Sequence, residues 1–67
     1  KLLRGEIQHR FPPGTLGFTE TRADTFTVVG WVQSLVGWEA MVLTGGSLAM
    51  WYWTALSQCT TLEETTR

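Results

Sequence analysis

Phe26 to Leu56 reads FTVVGWVQSLVGWEAMVLTGGSLAMWYWTAL, and the fold turns on how this stretch is taken. It holds no Lys, Arg, Asp, His or Pro, and Glu39 is its only formal charge. A hydrocarbon core about 30 Å thick is crossed by roughly 20 helical residues at about 1.5 Å each, so the run is long enough to span a bilayer. Trp31 stands near one end and Trp51, Tyr52 and Trp53 at the other. As a helix, Trp31 to Trp51 would rise about 30 Å, the separation of the two interfaces where Trp and Tyr gather. A soluble helix of this length would show a charged face, and none is present. The expected fold class is therefore all-α, with a single transmembrane helix over about residues 25–57. The expected organisation is an extramembrane N-terminal docking segment at 1–23, the helix at 24–57 and a polar C-terminal tail at 58–67.

The flanks are read against that span. In Lys1–Phe11, KLLRGEIQHRF, the spacing of Leu3, Ile7 and Phe11 predicts a short amphipathic helix, weakened by Gly5. Pro12-Pro13-Gly14 ends it in a turn. Thr15–Thr21 is expected to be an extended connector with Leu16 and Phe18 as docking side chains. Asp24, a short acceptor before the apolar run, is the expected N-cap of the long helix. Gly45-Gly46 is read as a mild kink and not a hairpin, because neither half would then span. Lys1, Arg4, Arg10 and Arg22 precede the run and only Arg67 follows it. This bias puts the N-terminus on the cytoplasmic, stromal or matrix side, with a thylakoid or mitochondrial inner membrane as the expected location. The chain opens on Lys1, which fits a processed or partly traced polypeptide. The late and long apolar run does not fit a secretory signal.

Composition removes several functions. Six acidic and five basic residues leave a net charge of −1, with no basic stripe for nucleic acid. Cys59 is the only cysteine, which excludes an internal disulfide and every zinc pattern, and in a polar tail it reads as an incidental thiol. His9, the only histidine, lies outside the run, and Ser34, Ser47 and Ser57 have no histidine beside them. No catalytic or metal residue is assigned, and an enzyme is not expected.

Glu39 is the most informative residue within the span. An ionisable group there costs about 2.5–3.5 kcal/mol at a helix centre and marks a functional position by default. Three roles compete: an interhelix hydrogen bond or ion pair, ligation of a pigment's magnesium, or a shifted register near the headgroups. Gln33, one turn inside Trp31, is an interfacial amide, an interhelix partner or a second pigment ligand. On a helical wheel Gly30, Ser34, Gly37, Thr44 and Gly45 share one face. Gly30–Ser34 and Gly45–Ala49 have the small-xxx-small spacing of close helix packing. Trp31, Trp51, Tyr52 and Trp53 form the expected membrane-interface belts.

Gly30-Trp31-Val32-Gln33 resembles the start of a helix in chlorophyll-binding light-harvesting proteins, over those residues only and without that family's Arg-containing signature. The functional expectation is a small single-span accessory subunit. It would assemble and stabilise a large energy-transducing membrane complex, photosynthetic ahead of respiratory, with larger membrane subunits and lipid as partners. Two alternatives stand beside it: an antenna linker holding chlorophyll or carotenoid through Glu39 or Gln33, and a self-associating regulatory membrane peptide.

Overall fold

Gly45-Gly46 turns the chain back on itself. Both glycines take positive φ, +58° and +79°, the two-residue hairpin geometry whose twist matches that of paired strands. The turn joins β3 (Gly37–Thr44) to β4 (Ser47–Tyr52), in register from Thr44↔Ser47 to Glu39↔Tyr52. Leu35-Val36 makes a second tight turn and joins β2 (Asp24–Ser34) to β3. There the Ser34 hydroxyl donates to the Gly37 carbonyl at 3.1 Å and accepts from the Val36 N–H at 3.3 Å. The apolar stretch is thus three antiparallel strands and not one helix.

The computed structural model describes residues 3–62. β1 (Leu16–Thr19) pairs with the first half of β2. After β4 a one-turn helix, α2 (Trp53–Leu56), carries the chain to β5 (Cys59–Thr61), which pairs with β1. The result is a five-stranded antiparallel sheet ordered β4-β3-β2-β1-β5, preceded by α1 (Arg4–Arg10).

This overturns the all-α class, the single-span assignment, and the thylakoid or mitochondrial inner-membrane location that rested on it. Among the described residues no helix is long and apolar enough to cross a membrane. Asp24 opens a strand and caps no helix, and the kink expected at Gly45-Gly46 is a hairpin turn.

Alternation explains the misreading. Phe26 and Val28 point inward, Val29 is an extra residue in a β-bulge, and the bulge resets the alternation so that Trp31 faces in opposite buried Ala40. Val42, Ala49 and Trp51 share that inner side. The intervening positions Val32, Met41, Leu43, Leu48 and Met50 are also apolar. With both faces apolar, the period of two that marks a strand disappears from the sequence.

α1 closes one side of the core. Of the three residues expected on its apolar face, Ile7 and Phe11 are fully buried, while Leu3 precedes the helix and is exposed. The Leu3 N–H donates to Glu6 Oε1 at 2.8 Å, which satisfies a backbone donor at the helix start. Trp31 Nε1–H donates to the Phe11 carbonyl at 2.8 Å and ties the end of the helix to β2. Phe26 sits at the centre, its ring 5.0 Å from Trp51, edge on, and 6.1 Å from Phe11. Gly17, directly opposite Phe26 across the β1–β2 pair, leaves the space that the ring fills. Cys59, expected in a solvated tail, belongs to the core, with Leu56 completing it from α2. Residues 63–67, the rest of that tail, lie outside the described residues, as do Lys1 and Leu2.

Candidate interaction face

The inner face of the sheet is covered by α1 and α2, and among the described residues nothing covers the outer face. The strand register puts Phe18, Thr25 and Thr60 in a row at one end of this face, followed by three rows that hold most of its apolar side chains. One runs Leu16–Thr27–Leu43–Leu48, the next Gly30–Met41–Met50 with Val29 beside it, and the third Val32–Glu39–Tyr52. Leu48 is 64% exposed and Leu16 50%, and Val29, Val32, Leu43, Met50 and Tyr52 are all exposed. Together these seven expose roughly 600–700 Å² of mostly apolar surface, at the upper end of what a monomer leaves uncovered in one patch. Gly30 lies in the middle row without positive φ, and a Cβ there would meet nothing within 4 Å. Two methionines in that row give a soft, adaptable contact surface.

The sheet edges differ. β5 is three residues long, and a short edge offers little to a pairing strand. β4 is six residues, SLAMWY, with no charge, no proline and no bulge in its pairing to β3. The apolar turn residues Leu35 and Val36 project beyond the third row, Leu35 fully exposed.

The residues singled out from sequence fall differently from the helical expectation. Glu39 lies on the outer face between Val32 and Tyr52, half-exposed, so its carboxylate reaches water. Gln33 is its neighbour's neighbour in register but on the other side of the sheet, paired with Trp38. The two are not brought together for a shared ligand. Ser34 and Gly37 meet at the first hairpin, Thr44 and Gly45 sit at the second, Gly30 lies beside the bulge and Ala49 faces inward. The helical face these six were to share does not exist. Trp31, Trp51, Tyr52 and Trp53 form no belts. Trp31 and Trp51 pack against the core, Tyr52 is exposed on the outer face, and Trp53 starts α2 with its ring 6.0 Å from that of Tyr52. Trp38 carries the Arg4 guanidinium 5.5 Å from its ring centre.

Two concave regions accompany the face. A cleft of about 210 Å³ lies between the β1–β2 turn and α2, lined by Thr19, Arg22, Trp51, Gln58 and Cys59. The Thr19 hydroxyl is buried there without a hydrogen-bond partner. Cys59 Sγ–H donates to the Ala55 carbonyl at 3.3 Å, and burial pushes its thiol pKa up, away from the thiolate that reactive cysteines need. A more open groove of about 620 Å³ runs past His9, Pro12, Thr15 and Leu62. Among the described residues no group of three His, Cys, Asp or Glu side chains is placed to hold a metal ion.

The outer face was missed because its residues were assigned to a lipid-facing helix. The signal that would have found it is Gly-Gly between two apolar runs of strand length. Comparison with protein-family models, with curated proteins and with solved structures returns no match, so the argument for function rests on this geometry alone.

Proposed function

We propose that this chain is a non-catalytic interaction domain that joins a protein assembly through the outer face of its sheet. The observation that carries the reading is the continuous apolar surface from Leu16 to Met50 on a sheet whose opposite face is already packed. Water-exposed apolar area of this extent is costly at about 25 cal/mol per Å², and covering it is the main driving force for association. This reading places an accessory role on a sheet face and not on the membrane span expected from sequence. The reactive groups support a binding role: the one thiol is buried, which raises its pKa, and the Ser34 and Ser57 hydroxyls donate to backbone carbonyls.

Site-specific photo-crosslinking in the native host tests this. A benzoyl-phenylalanine at Met41 should give protein adducts, and the same probe at Glu6, on the exposed side of α1, should not. Absence of adducts from positions 41, 43 and 50 alike would remove the reading.

A further inference from the structure

We infer that the occupant of the outer face is a second copy of this chain, packed sheet against sheet. The inference rests on the interaction face proposed above and names its partner. Three observations carry it. The exposed area of this face, with Thr27 inside its first row and Thr25 at its margin, approaches the roughly 800 Å² per partner of a standard stable interface. The face holds a single charge, Glu39, at one end of its rows, so two copies can meet without a buried like-charge pair. The two central rows are complementary: Leu43 and Leu48 stand two residues from Met41 and Met50 on the same two strands, so a two-fold between the rows brings branched leucines against adaptable methionines.

A two-fold axis lying between the two sheets, parallel to these rows and midway between them, sets the Leu43–Leu48 row of each copy on the Met41–Met50 row of the other. Each Glu39 then lies at the far end, beside the Gly45-Gly46 turn of the second copy, and stays in water. The strands of the two sheets cross at the shallow angle that sheet twist imposes, with about 10 Å between the layers.

Sedimentation velocity over a concentration series, with circular dichroism to confirm folding, tests this. The unmodified chain should sediment at twice the monomer mass at micromolar concentration. Leu43→Glu and Met50→Glu should each weaken dimerisation about thirtyfold or more while keeping the native spectrum, because both side chains point away from the monomer core. Leu35→Glu, at the turn tip, should leave the dimer intact. A folded chain that stays monomeric to several hundred micromolar overturns the second-copy inference, as does a dimer indifferent to Leu43→Glu. If such a monomer still yields Met41 adducts with a different polypeptide, the interaction face stands and only its occupant is wrong. A monomer with no adducts removes both.

Discussion

Replacing Gly17 with Ala tests the packing at the centre of the sheet. An added Cβ would lie 2.7 Å from both Cε atoms of Phe26 and nearer still to Cζ, distances that real Cβ atoms do not tolerate. The ring has nowhere to move. It is 2% exposed, with Trp51 against it on one side and Phe11 on another. Overpacking a filled core costs about 1–3 kcal/mol. The loss of chain entropy in the unfolded state returns about 0.4–1 kcal/mol, since the backbone at Gly17 needs no glycine conformation. The net expectation is destabilisation by about 1.3 kcal/mol, which for a domain of this size lowers Tm by about 5–10 °C. Thermal and urea unfolding followed by tryptophan fluorescence measure it directly. Phe26→Leu removes the ring atoms that clash, so Gly17→Ala in that background should cost little and the pair should couple by about 1 kcal/mol or more. A Tm change under about 3 °C for Gly17→Ala, or strict additivity of the two substitutions, would refute the placement of Phe26 over Gly17.

Gly46→Val, at φ +79°, should destabilise by about 1–2 kcal/mol, and Gly46→Asn by less, because Asn tolerates the left-handed region; urea midpoints separate the two. Thr19→Val removes a buried hydroxyl that has no partner and should stabilise by about 1 kcal/mol, read as a higher urea midpoint at unchanged m-value; a loss of stability would show that the hydroxyl is satisfied. Cys59 has a pKa raised by burial, so the unfolded chain ionises first. Its contribution is whole below pH 9 and falls as pH rises past that value toward the folded pKa; the stability difference between wild type and Cys59→Ala should be flat below pH 9 and shrink above it. Trp31→Phe deletes the indole donor to the Phe11 carbonyl and should cost about 1 kcal/mol, with faster amide exchange confined to α1.

The N-terminal helix was legible because its evidence is local. Ile7 and Phe11 fall on one face, Pro12-Pro13-Gly14 stops the chain directly afterwards, and the structure buries both side chains. Cys59 was not legible, since a three-residue strand exists only by pairing with β1, some forty positions earlier, and nothing in QCTTLE announces that partner. The central stretch failed for a sharper reason. A half-buried strand declares itself by polar residues on every second position, and here those positions are Val32, Met41, Leu43, Leu48 and Met50. The match of Trp31 and Trp51 to a bilayer's thickness was a coincidence of helical rise. In the sheet the two side chains pack against one core from strands separated only by β3. Two signals argued the other way. Thr25, Thr27, Val28, Val29 and Val32 concentrate β-branched residues at the start of the stretch, which fits a strand. Glu39 would have been expensive in lipid, whereas on the outer face it meets water and the difficulty vanishes. What concealed the strands is also what points to a role. A sheet built only to fold would carry Thr, Lys or Glu where this one carries Leu, Met and Val, and it would have read as a strand from the start. Apolar residues on a face that the fold does not need are what the proposed interaction surface accounts for, and the same residues erased the period of two from the sequence.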